Sequence, residues 1–129
     1  MSILRTDAPW RRFENVVLVH GTRHLADRVY RDLITGIAAS HPRQFREVSL
    51  VSQDQVSADS SILAGRIPLA LNDGRLERAA GVKLDAQTSH VMLCGNPAMI
   101  ADMIDALKGR GMRKHRRRLP GHITVENYW

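Results

Sequence analysis

Three short stretches hold side chains able to grip an anion or present a thiol. They are His20-Gly21-Thr22-Arg23, Ser52-Gln53 with Gly65-Arg66 beyond it, and Cys94-Gly95-Asn96-Pro97. Arg23 and Arg66 are guanidinium groups, which match phosphate oxygens as a bidentate fork, and hydroxyl and backbone donors stand beside them. Either arginine alone is an ordinary surface residue; a shared edge would make the pair a phosphate cradle. Cys94 is the only cysteine in the chain. A lone cysteine is most often a small buried hydrophobe. Here it closes an apolar run and precedes a helix start that would lower a thiol pKa, while Gly95 would let a ligand approach the backbone. No Ser-His-Asp or Cys-His spacing accompanies it, so the pattern favours positioning over covalent catalysis.

These stretches need elements to hold them. Residues 15–21 (NVVLVHG) form a continuous β-rich apolar run of the kind buried on both faces in parallel sheets. Leu25, Val29, Leu33, Ile34 and Ile37 recur at helical spacing, and Pro42 ends the pattern. Residues 45–52 (FREVSLVS) read as a second strand and residues 53–64 as a polar loop. Two short helices follow, punctuated by Gly74 and Gly81. Residues 89–95 (SHVMLCG) read as a third strand. The next helix opens with Asn96 as N-cap and Pro97 in its first turn, and carries Met99, Ile100, Met103, Ile104 and Leu107 on its apolar stripe. A last strand falls within residues 121–129 (GHITVENYW). Alternating strands and helices predict an α/β fold, a Rossmann-like parallel sheet with flanking helices and ligands beyond the carboxyl ends of the strands. The three stretches above lie at such ends.

With 129 residues the chain has the length of one domain, and 43% hydrophobic and 25% charged residues are those of an ordinary globular protein. One cysteine excludes an internal disulfide, no zinc-site spacing is present, and no apolar run reaches a membrane span; the expectation is a cytoplasmic protein without metal or membrane partners. A net charge of +6 favours acidic partners or phosphate-bearing ligands. Part of the excess sits in Arg113–Arg118 (RKHRRR), a run that is by itself a solvated face or tail. Aromatics do not interleave with the basic residues, which argues against single-strand nucleic-acid binding. No glycine precedes Gly21, so the glycine-rich first turn of a dinucleotide fold is absent, and residues 1–10 read as helix.

The segments SILR, NVVLVHGTR, GRIP, TSHVMLCGNPAMI and RRRLPGHITVENYW resemble, in order, the C-terminal NADP-binding half of the bacterial ferredoxin/flavodoxin–NADP reductases. The resemblance covers nearly the whole chain and implies one NADP(H)-binding domain over residues 1–129, from an FAD-dependent oxidoreductase serving ferredoxin or flavodoxin. It implies that Thr22, Arg23, Ser52 and Arg66 meet the adenosine 2′-phosphate side of NADP. It places Met92, Leu93, Cys94, Gly95 and Asn96 beneath the pyrophosphate and nicotinamide. Cys94 then positions nicotinamide, Glu126 is its acidic neighbour in hydride transfer, and Tyr128 and Trp129 lie against FAD.

The family's Ser-Arg after the second strand is Ser52-Gln53 here, so one phosphate-pairing cation is lost. The flavin barrel and the first strand with its glycine-rich loop have no counterpart in these residues, which predicts a truncated reductase, inactive alone, with an open gap in its sheet that a second copy or another chain would close. The competing readings are a non-catalytic nucleotide- or redox-partner-binding module and, a distant third, a small basic nucleic-acid-binding domain.

Overall fold

In the computed structural model, residues 8–27, 31–56, 61–94, 97–116 and 118–126 are described. Five strands and five α-helices follow in chain order: α1 (Ala8–Arg12), β1 (Val16–Thr22), α2 (Arg31–Ser40), β2 (Phe45–Val51), β3 (Leu63–Ala64), α3 (Ile67–Asn72), α4 (Arg75–Ala80), β4 (Val91–Cys94), α5 (Pro97–Lys108) and β5 (Ile123–Glu126). Each strand pairing is parallel, as the alternation of strands and helices requires.

Side-chain alternation along β1 splits two cores. Val16 and Leu18 face Ile34, Ile37 and Phe45 on the α2 side, while Val17 and Val19 face the larger core beneath α3, α4 and α5. A strand with apolar residues on both faces must be covered on both, which is why this run does not alternate with polar residues. In the larger core Leu50, Leu71, Leu107 and Ile123 are fully buried, each side chain contributing about 1.5–3 kcal/mol by leaving water. Of the expected α5 stripe, Ile100, Met103 and Leu107 are buried, and Met99 and Ile104 pack against the same cluster.

α1 is fastened by its last residues rather than by helix propensity. Trp10 stacks on His41 with ring centroids 3.7 Å apart and meets Phe45 edge-on. Gln44 Nε2 donates to the carbonyls of Trp10 (2.8 Å) and Phe13 (2.6 Å). Burial first, and then the charges of Arg12, His115 and His122, lower the pKa of His90 just before β4.

The strands form two sheets, β1-β2-β3 and β4-β5, rather than one continuous ladder. The hydrogen-bond phase fixes which backbone groups are left over. Val16 N–H donates to the Gln44 carbonyl and Ser52 N–H to the Thr22 carbonyl, so even-numbered β1 residues bond β2. Val17, Val19 and Gly21 therefore turn their N–H and C=O groups to the opposite side, where no described strand pairs with them. On β4, Val91 N–H bonds the His122 carbonyl, which leaves Met92 and Cys94 on the open side.

Two local expectations need correction, and a third is narrowed. The polar loop ends earlier, because Leu63 and Ala64 pair with Leu50 and Val51 as β3. The first long helix opens differently: a 3-10 turn covers Leu25–Asp27, and regular helix is described over Arg31–Ser40, with Val29 outside the described residues. Of the two readings of the basic run, a solvated face or a tail, the structure shows the face: its described residues are exposed and pinned to their neighbours. Lys114 bridges Ile123 and Arg116 bridges Leu119, and Gly121 lies so close beneath that an added Cβ would stand 2.6 Å from the Arg113 carbonyl oxygen.

Candidate functional site: the carboxyl ends of the strands

Thr22, Arg23, Ser52, Gln53, Gly65 and Arg66 come together because three strands end at one level. Ser52 N–H donates to the Thr22 carbonyl (3.0 Å), Gln53 N–H to the Arg23 carbonyl (2.7 Å), and Gly65 N–H to the Val51 carbonyl (2.9 Å). The ladder thus continues one step beyond the regular strands and ties three loops side by side. Arg66 then occupies the N-cap position of α3 with extended backbone (φ −94°, ψ 154°), and Pro68 suits the first turn, where an N–H would lack a helical partner.

The turn after β1 is braced by a residue the sequence pattern did not single out. Asp54 accepts from Leu25 N–H (2.7 Å) on one oxygen, and its other oxygen meets His24 Nδ1 at 2.9 Å. The His24 bond, followed by that from Leu25, lowers the Asp54 pKa. Thr22 Oγ1 directs its proton to the His24 carbonyl at 3.0 Å, so the hydroxyl works inside the turn. No local spacing foretells the His24–Asp54 pair, whose partners are 30 residues apart.

Electrostatically this edge is unbalanced. Arg31 pairs with Glu47, Arg75 with Asp73 and Arg110 with Glu77. Arg23 and Arg66 are exposed and have no salt bridge among the described residues. Two uncompensated guanidinium groups beside backbone turns fit an anionic ligand with several oxygens. A partly open pocket of about 120 Å³ lies elsewhere, at the opposite ends of β1 and β2, lined by Asn15, Phe45, Arg46 and Gly81.

The remaining candidates form a second group. Cys94 and Glu126 end β4 and β5, and the register sets them directly opposite one another. Leu93 is buried in the core, so it holds the strand and presents no side chain outward. Met92 points to the other face and is 38% exposed. Gly95, Asn96, Tyr128 and Trp129 lie outside the described residues.

Parallel strands, helices on both faces and a cationic carboxyl edge define a nucleotide-binding α/β domain. The family model for the oxidoreductase NAD-binding domain matches residues 1–105, and the chain belongs to that family. It is 42% identical over 130 residues to the flavodoxin/ferredoxin–NADP reductase of Escherichia coli (strain K12), with 100% of this chain and 51% of the relative covered. It is 40% identical to the enzyme of the same name from Buchnera aphidicola subsp. Schizaphis graminum, covering 99% and 49%. Among solved structures, a ferredoxin NADP+ reductase from Neisseria gonorrhoeae with bound FAD and NADP superposes with a TM-score of 0.85 at 31% identity, over 98% of this chain and 50% of the other. The chain spans about half the length of these relatives, and the matched part is their C-terminal half. Among the described residues no helix is long and apolar enough to cross a membrane.

Proposed function

We propose that residues 1–129 are the NADP(H)-binding domain of a cytoplasmic ferredoxin/flavodoxin–NADP reductase. The observation that carries this reading is Arg23 and Arg66, exposed and without a salt bridge among the described residues, on loops tied together at the ends of β1 and β3. Their positive charge meets the 2′-phosphate that separates NADP from NAD, and Ser52 lies between them in the chain of backbone bonds. Neither guanidinium group breaks a salt bridge among the described residues in order to bind, so shed water and side-chain ordering are the costs set against each charge-assisted phosphate bond.

When bound, NADP(H) supplies a hydride at its nicotinamide. This chain's part is to place that ring. Cys94 and Glu126, at the paired ends of β4 and β5, flank the position, and the adjoining open backbone of Met92 and Cys94 lets the ligand lie along the strand end. Glu126 stabilises positive charge developing on the ring as hydride leaves, and Cys94 sets its orientation. Gly95 and Asn96, next to Cys94 in sequence, are assigned to the nicotinamide side by the family resemblance, and Tyr128 and Trp129 to the flavin side, FAD being the hydride acceptor of the whole reductase. The exposed Arg113, Lys114, Arg116 and Arg118 suit docking of an acidic ferredoxin or flavodoxin. The open β1 edge admits pairing between copies of the chain.

Calorimetric titration tests the reading. The chain should bind 2′,5′-ADP more tightly than ADP, and Arg23→Ala or Arg66→Ala should each weaken 2′,5′-ADP by about ten- to a hundredfold with little effect on ADP. Equal losses for both nucleotides, or no preference in the parent chain, would refute the assignment.

A further inference from the structure

The loop that carries Arg66 is tethered more firmly than its strand allows. β3 is two residues long, too short for its ladder alone to hold the Gly65-Arg66 turn in place. Arg75, at the start of α4, reaches back to it. Its Nη1 donates to the Ala64 carbonyl at 2.7 Å, its Nε to Asp73 Oδ2 at 2.8 Å, and its backbone N–H to Asp73 Oδ1 at 3.0 Å. Nη2 stands 3.6 Å from where a Cβ on Gly65 would lie, and Gly65 has φ +100°, a conformation that needs glycine. The guanidinium thus packs along Ala64-Gly65, immediately before Arg66. Asp73 stays ionised to hold it, its pKa lowered first by the Arg75 backbone N–H.

We infer that Arg75 is a positioning residue for the 2′-phosphate cradle, holding the Ala64-Gly65 turn so that Arg66 faces the ligand. The inference rests on the function proposed above. Asp73 already neutralises Arg75, so its contribution is geometric: a fork bridging a carbonyl and a carboxylate, which an ammonium group on a flexible stem does not reproduce. Freed from that bridge, the turn samples other conformations, and Arg66 must be ordered at the moment of binding, which weakens the ligand.

Two measurements on the same variants test it. In the free chain, the Gly65 amide is held by the Val51 carbonyl. Its hydrogen exchange should quicken about tenfold in both Arg75→Ala and Arg75→Lys while the Leu50 amide in the core strand is unchanged. Unaltered Gly65 exchange overturns the inference whatever the nucleotide does. In calorimetry, both variants should bind 2′,5′-ADP about tenfold more weakly and ADP as before. If Arg75→Lys binds 2′,5′-ADP like the parent while Arg75→Ala does not, charge alone matters and positioning is wrong. A parent chain indifferent to the 2′-phosphate overturns the proposed function itself, and the role given to Arg66 goes with it.

Discussion

Cys94 and Glu126 are register partners, the last pair of the parallel β4–β5 ladder. Neighbouring strands lie roughly 4.8 Å apart, so two residues 32 positions apart in sequence are held side by side by backbone pairing alone. Any ligand group at the end of β4 is therefore also at the end of β5.

The pair should act as a unit. In a reductase assembled from this chain and the flavin-binding half of a relative, Cys94→Ala and Glu126→Gln should each slow hydride delivery by up to ~10²-fold. NADP+ affinity should stay within about twofold, and the double variant should lose less than the product of the single losses. Stopped-flow absorbance at the flavin band, with affinity titrated separately, measures both. A rate in Cys94→Ala equal to the parent's would return the cysteine to the role of a small strand residue.

Gln53 invites a gain rather than a loss. Its backbone N–H is bonded to the Arg23 carbonyl and its side chain is exposed beside the cationic edge. Gln53→Arg should tighten 2′,5′-ADP by about tenfold and leave ADP unchanged, one charge-assisted bond being worth roughly 1.5–3 kcal/mol before the cost of ordering the side chain. Raising salt should erode that gain. Tightening of both nucleotides alike would mean a general charge effect.

Acid should loosen the helical layer through Glu77. Its carboxylate takes Leu84 N–H at 2.9 Å and pairs with Arg110, whose Nη2 also bonds the Leu71 carbonyl at 2.9 Å. Burial pushes its pKa up, but the Leu84 and Arg110 bonds together prevail and lower it below 4.5. A carboxyl with a lower pKa folded than unfolded contributes stability above the unfolded value, lost as pH falls through the folded one. Glu77→Gln should cost about 1–3 kcal/mol at pH 7, and thermal melts of variant and parent should converge in acid below the ordinary carboxylate range. A difference that persists undiminished there would exclude the linkage.

Two glycines should rank against conformational intuition. Gly81 has φ +73°, yet the nearest atoms to an added Cβ are the guanidinium atoms of the flexible Arg46 side chain. A Cβ added at Gly121 would instead meet main chain, 2.6 Å from backbone atoms of Arg113 and Lys114. Gly81→Ala should cost about 1–2 kcal/mol of left-handed strain. Gly121→Ala should cost more and release the 113–122 turn, because a main chain cannot step aside as a side chain does. Thermal melts and amide exchange at Arg116 would expose the reverse order.

How much of this is legible in the sequence depends on the range of the interactions involved. β1, β2, β4 and α5 show themselves in local apolar periodicity, and Gly74 and Gly81 mark the ends of α3 and α4. β3 does not, because two residues carry no period and form a strand only where Leu50 and Val51 are already in place. The arginines at the cationic edge can be named from strand-end position. Asp54 and Arg75, which brace that edge, cannot: each acts on a carbonyl, an amide or an imidazole brought near by the fold. Which backbone groups stand at the edges of the two ladders depends on hydrogen-bond phase, visible only in three dimensions.

The open side of β1 has a thermodynamic consequence. Val17, Val19 and Gly21 present their amides and carbonyls there with no partner among the described residues, and the same strand delivers Thr22 and Arg23 to the anion edge. A strand laddered on one side frays more readily than one laddered on both, and fraying that reaches Thr22 displaces Arg23. Pairing at the open side and anion capture at the strand end draw on the same ordered state of β1. They are linked, and linkage is reciprocal: whatever factor an added strand contributes to nucleotide affinity, bound nucleotide returns to the affinity for that strand.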